Sequence, residues 1–214
     1  MGADGMADLL AATVSSFLAE LAARTPAPGG GAAAGLHAAQ AAALIEMVAR
    51  YSDGPRYAAH AESIGRVQTE AERLRIECAE LIDADAGAFG SVAAAYALPK
   101  QTGEQKAARS AAIAATLITA AEPPAEVIAA AGRLIELAEV LRPVANRNVL
   151  SDVAAAAEAV RAAVATARIN VEVNLPGITD PAALERYQAV LAGVDLLLAR
   201  AAEVTAAVRA ELAR

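Results

Sequence analysis

The chain has 214 residues, of which 57% are hydrophobic and only 3% aromatic, with no Trp and a formal net charge of −7. That length suits one domain, residues 1–214. The scarcity of aromatic side chains argues against a β-sandwich or barrel, and the acidic balance against a general nucleic-acid binder, which needs a basic surface.

The spacing of Leu9, Leu10, Val14, Phe17, Leu18 and Leu21 predicts a first helix over residues 8–24. Pro26, Pro28, Gly29, Gly30 and Gly31 stop it. A second helix follows over 32–51, the most apolar stretch of the chain. His37, Gln40 and Glu46 interrupt that stretch, so no uninterrupted run is long enough to span a bilayer. Pro55 opens a third segment, 56–98, which lacks proline and predicts one helix of about 64 Å. Pro99 ends it. After a polar loop at 100–104, a helix to about 121 is expected to stop at Glu122, Pro123 and Pro124, with another running on to about 141. Ser151 is the expected cap of the next helix, toward 174. Asp180 and Pro181 read as cap and first residue of the last, to about 212. The expectation is an all-α bundle of about six long antiparallel helices. Alanine, the best helix former, brings the axes close.

The N-terminus carries no basic region ahead of an apolar core, so it does not read as a signal peptide. Cys78 is the only cysteine. It reads as a buried structural thiol in a reducing, cytoplasmic compartment. The apolar excess is assigned to subunit contacts, hence a homodimer, with no membrane or nucleic-acid partner. His37 and His60 show no metal-ligand spacing.

Four features stand out as chemistry. Pro28, Gly29, Gly30 and Gly31 open a helix whose free amides attract anions or carbonyl oxygens. The competing reading is a tight turn. Asp85 shares a helix face with Leu81, Ala88, Phe89 and Val92. Burial there raises its pKa toward the range useful for proton transfer, unless a neighbouring Arg satisfies it. Asp83 points elsewhere, toward solvent. Asn146, Asn148, Ser151 and Asp152 form a polar segment that a turn and a helix cap would also explain. Asn170 and Asn174 lie four apart on one face and aim two amides at one polar object, either a ligand or a backbone. Lys100 and Lys106, the only lysines, flank the Pro99 loop.

Taken in order, the Pro-Ala-Pro-Gly-Gly-Gly turn, Asp85 through Phe89, Leu98-Pro99-Lys100, Asn146 through Asp152 and Asn170 through Leu175 resemble the cyclodeaminase/cyclohydrolase family. That family comprises the C-terminal half of formiminotransferase-cyclodeaminase and its stand-alone bacterial relatives. The resemblance covers nearly the whole chain and implies a dimeric helical bundle acting on a one-carbon derivative of tetrahydrofolate, with no bound cofactor and no metal. It implies either hydrolysis of 5,10-methenyltetrahydrofolate to 10-formyltetrahydrofolate or cyclodeamination of 5-formimidoyltetrahydrofolate with release of ammonia. Without the formiminotransferase half, the hydrolase is favoured. Asp85, then Asp152, are the expected proton-transfer groups. Pro28, Gly29, Gly30, Gly31, Asn146, Asn148, Ser151, Asn170 and Asn174 are the expected substrate contacts, with Lys100 for the glutamate tail. Two positions depart from the family's pattern. Ala32 stands where Ser is usual, and Ala145 where Gly is usual. They leave room for a diverged enzyme with a non-folate substrate, or for a non-catalytic ligand-binding or scaffold dimer.

Overall fold

The computed structural model describes Leu9 and residues 11–214; the expectations for Asp8 and Leu10 lie outside the described residues. The described residues hold seven α-helices and no strand: α1 (Val14–Leu21), α2 (Gly30–Arg50), α3 (Ala61–Ala97), α4 (Gly103–Leu141), α5 (Leu150–Glu172), α6 (Pro181–Ala192) and α7 (Val194–Leu212). Helix α2 is the hub, packed between α3 and α5. Helix α4 closes on α3 and α5, and α7 covers the far side of α5.

The core is built from small and branched residues. Ala34, Ala38, Ala41 and Ala42 of α2 are fully buried, with Leu74, Leu134, Ile135 and Val160 from the surrounding helices. By length and composition α2 and the α4 region are each apolar enough to cross a membrane, although His37, Gln40 and Glu46 interrupt the apolar run of α2. In this fold both helices supply the core. Cys78 is buried as expected, and burial pushes its thiol up to about 12.

Several boundaries differ from the sequence expectation. Residues Pro55–His60 form a 3-10 turn, so α3 starts later than expected. The break at Pro123 and Pro124 does not occur, and α4 runs through both. The two rings deprive the Thr119 and Ala120 carbonyls of their usual i+4 donors. Burial of both prolines in the bundle outweighs that loss, and Tyr187 Oη donates to the adjacent Ile118 carbonyl at 2.6 Å. Ser151 does not cap α5; it lies inside the first turn, and Val149 holds the cap position without a side-chain bond. Asn146 instead caps the preceding 3-10 turn, its side chain accepting from the Asn148 amide at 3.0 Å. Asp180 caps α6 with Pro181 at the first position, as expected, but Gly193 divides the last helix into α6 and α7.

Helices α2 and α3 approach closely at Gly35. A Cβ there would lie 3.1 Å from Ile82 Cγ1 and 3.2 Å from the Cys78 carbonyl oxygen. A backbone oxygen cannot swing aside as a side chain can. Gly35→Ala is therefore expected to destabilise the fold by about 1–2 kcal/mol, an overpacking cost that exceeds the gain in helix propensity. Thermal unfolding followed by circular dichroism should show Tm falling by about 2–4 °C per kcal/mol in a chain of this size. An unchanged Tm would mean that the helices separate freely.

Candidate active site

The opening of α2 creates the site. Gly29 takes the cap position without a side-chain bond. The first helical bond runs from the Ala33 amide to the Gly29 carbonyl at 3.1 Å. The amides of Gly30, Gly31 and Ala32 precede it and have no acceptor within the helix. Asp85, from the middle of α3, meets them: its carboxylate lies against the helix opening at Gly31, where the nearby Ala32 N–H works to lower its pKa. A carboxylate on a helix N-terminus is favoured by the helix dipole, which works to lower its pKa. Burial wins, and the Asp85 carboxyl is raised from 3.8 to about 6. Among the described residues no arginine serves it as partner. An acid half-ionised near pH 6 is suited to giving and taking protons in neutral solution.

The glycines are required by contact. None of Gly29, Gly30 and Gly31 adopts positive φ; among the described residues only Gly54 does. A Cβ on Gly31 would fall inside the carboxylate of Asp85, and one on Gly30 would lie 3.0 Å from Asn170 Nδ2. The triplet thus lets an acid from α3 and an amide from α5 close on the bare backbone of α2. The glycines therefore serve by lacking a Cβ and not by supplying unusual backbone angles.

These groups line a cleft of about 230 Å³, walled by Pro26, Gly29, Gly30, Gly31, Asp85, Phe89, Ala120, Asn170, Val173 and Asn174. Asn170 Nδ2 donates to the Thr166 carbonyl at 2.9 Å and Asn174 Nδ2 to the Asn170 carbonyl at 2.7 Å. Their Oδ1 atoms accept nothing among the described residues and remain for a ligand. Phe89 is 48% and Val173 69% exposed, an apolar lip beside the acid.

The fold gathers Gly29, Gly30, Gly31, Asp85, Asn170 and Asn174, as expected. Pro28 is buried beneath the turn, and Pro26 takes its place on the wall. Asn146, Asn148, Ser151 and Asp152 lie at the other end of α2. There the Asn146 amide donates to Ser52 Oγ at 2.8 Å and Asn146 Nδ2 to the Tyr51 carbonyl at 2.8 Å. The twenty-odd residues of α2 separate the two groups by about 30 Å within the protomer. Lys100 is exposed past the end of α3, at least about 18 Å along the helix from Asp85. Asp83 is not free in solvent; its Oδ1 accepts the Leu9 amide at 3.0 Å. Sequence reasoning missed Pro26, Ala120 and Val173 as walls. The three-residue spacing of Val173 from Asn170, which sets both on one helix face, was the only available signal.

A family model described as formiminotransferase-cyclodeaminase matches residues 13–192. The chain is 37% identical to a methenyltetrahydrofolate cyclohydrolase of Methylorubrum extorquens over 85% of its own length and 88% of that protein. It is 35% identical to the formimidoyltransferase-cyclodeaminase of Rattus norvegicus over 80% of its length, spanning 32% of that longer protein. The crystal structure of a formiminotetrahydrofolate cyclodeaminase from Thermotoga maritima superposes with a TM-score of 0.83 at 25% identity, covering 95% of this chain and 98% of that one.

Proposed function

Because the chain belongs to the formiminotransferase-cyclodeaminase family, we propose that it is a one-carbon folate enzyme that hydrolyses 5,10-methenyltetrahydrofolate to 10-formyltetrahydrofolate. The observation that carries this reading is Asp85, a carboxyl near pKa 6 seated on the open N-terminus of α2 inside a polar cleft. The match to the cyclohydrolase over nearly the full length of both chains favours hydrolysis over ring closure.

The substrate is a cationic amidinium, and an ionised Asp85 stabilises it in the cleft. Water attacks the methenyl carbon and its proton passes to the carboxylate. The tetrahedral carbon then collapses: the carbon–N5 bond breaks, the formyl group stays on N10, Asp85 hands its proton to N5, and the second water proton leaves to solvent. Asn170 and Asn174 offer acceptors to the amide-like edge of the pterin. In this reading Lys100 meets the glutamate tail, and the protein acts as a homodimer in the cytoplasm without a bound cofactor. The Thermotoga structure supports a second reading, cyclodeamination, in which protonated Asp85 delivers its proton to departing ammonia.

Incubation of the purified chain with 5,10-methenyltetrahydrofolate should accelerate loss of its near-ultraviolet absorbance well above the buffer rate. Ammonia release from 5-formimidoyltetrahydrofolate would select the second reading. No effect on either compound and no folate binding would sink both.

A further inference from the structure

The cleft holds only part of an organic substrate. At about 230 Å³ it falls below the roughly 300 Å³ at which pockets that enclose a whole ligand begin. The rest of a ligand reacting at Asp85 must lie along the surface beyond it. The end of α3 supplies such a surface. Helix α2 opens beside Asp85, while α3 runs on past that opening to Ala97, accompanied by α4.

The register of these two helices leads to one arginine. Asp85 of α3 and Ala120 of α4 line the cleft together. Tyr96 lies eleven positions beyond Asp85, and Arg109 eleven before Ala120. The two residues meet: Arg109 Nε and Nη2 donate to the Tyr96 carbonyl at 3.2 and 3.1 Å. Eleven residues make about three helical turns. Tyr96 therefore returns to the face that carries Asp85, and Arg109 to the face that carries Ala120, about 16 Å along the helices from the cleft. Phe89 stands between them on α3, and Tyr96 is 53% exposed.

Arg109 is held in place with half of its donors unused. The Tyr96 carbonyl takes one edge of the guanidinium, and the Tyr96 ring lies under its face, 5.4 Å to the centroid. The edge formed by Nη1 and the second Nη2 hydrogen has no partner among the described residues. Arg168 and Arg200, by contrast, are each held by two carboxylates. An arginine that only capped the end of α3 would be complete with the carbonyl. A fixed fork with one edge open matches a carboxylate in two-point contact. The surroundings are cationic as well. Residues 86–121 carry Lys100, Lys106 and Arg109 against one acid, Glu104, on a chain of net charge −7. Lys106 lies one turn from Arg109 on the same face, and Glu104, five positions away, does not share it.

We propose that Arg109 receives the carboxylate end of the substrate whose reacting carbon stands at Asp85, with the aromatic segment between them laid along Phe89. This deepens the folate reading and rests on it, since a glutamate joined through a benzoyl ring is a ligand of that description. Lys100, already read as a contact for the tail, is exposed in the loop that follows Tyr96 and adds charge without a fixed geometry.

Arg109→Ala is expected to raise KM for 5,10-methenyltetrahydrofolate by about 10–100-fold, the range of a hydrogen bond to a charged group, with kcat nearly unchanged. On 5,10-methenyltetrahydropteroate, which lacks the glutamate, the variant and the wild type should have the same KM. Arg109→Lys keeps the charge but not the fork and should fall between them. It also carries the test if the alanine chain loses helicity by circular dichroism. An unchanged KM on the full substrate, or an equal loss on both, would overturn the assignment. Titration calorimetry with N-(4-aminobenzoyl)glutamate needs no turnover. The wild type should bind this compound, Arg109→Ala should not, and free glutarate should bind more weakly. Glutarate binding as tightly would make Arg109 a general carboxylate site and overturn the ring contact at Phe89. If the wild type turns over neither folate yet binds the aminobenzoyl compound through Arg109, the functional reading fails and the tail site stands. If it neither turns over a folate nor binds that compound, both fail.

Discussion

Asp85→Asn is expected to lower kcat for hydrolysis of 5,10-methenyltetrahydrofolate by about 10²–10⁴-fold, the range associated with a positioned proton-transfer group, with a smaller change in KM. Asn keeps an oxygen near the Ala32 amide but neither takes nor gives a proton. The wild-type pH profile supplies the sign. Hydrolysis uses the carboxylate, so kcat/KM should fall about tenfold per pH unit below about 6 and level off above it, matching an acid held at about 6. Ring closure uses the protonated acid and would decline above that pH instead. Stability should move opposite to activity. The native acid binds its proton at about 6 against 3.8 unfolded, so native chains hold more protons between those values and lose stability as pH rises through that window. At pH 8 the wild type carries the full cost of the buried charge, about 3 kcal/mol by this shift, and Asp85→Asn relieves most of it. The Tm values of the two proteins should differ most at pH 8 and converge toward pH 4. Parallel curves, or an active Asp85→Asn enzyme, would remove Asp85 from the centre of the mechanism.

The helical class was legible because alanine content, proline positions and three-to-four spacing all point the same way. Asp180 and Pro181 mark α6 through local chemistry that no tertiary contact overrides. Pro123 and Pro124 misled because their local cost is known from sequence but their burial is not. Ser151 misled for a related reason: an earlier Asn, held by Tyr51 and Ser52 from the end of α2, anchors the turn. In the site, Asp85 and the glycines were visible one by one. That they occupy the same space was not, since the requirement for Gly31 lies on α3, more than fifty residues away. The long separation of Asn146 from Asp85 was equally hidden, because a sequence motif gives the order of polar groups and not the end of a helix on which each sits.

Gly31→Ala tests that shared space directly. The added Cβ overlaps the Asp85 carboxylate, so the acid must leave its seat and move away from the Ala32 amide. Displacement of a catalytic group by about 1 Å costs about 10²-fold, and kcat/KM for the folate substrate should fall by at least that much. The overlap should also cost about 1–3 kcal/mol of stability, offset in part by the better helix propensity of Ala. Two controls separate crowding from a general weakening of α2. Gly29→Ala, whose Cβ would meet nothing within 4 Å, should leave Tm nearly unchanged. Combining Gly31→Ala with Asp85→Ala removes the overlap, so the double variant should be about as stable as Asp85→Ala alone and remain inactive. A coupling of about 1–2 kcal/mol between the two positions is expected from such direct contact. Simple additivity in stability, or full activity in Gly31→Ala, would show that Asp85 does not act from its place on the glycine backbone and that the mechanism must be sought elsewhere in the cleft.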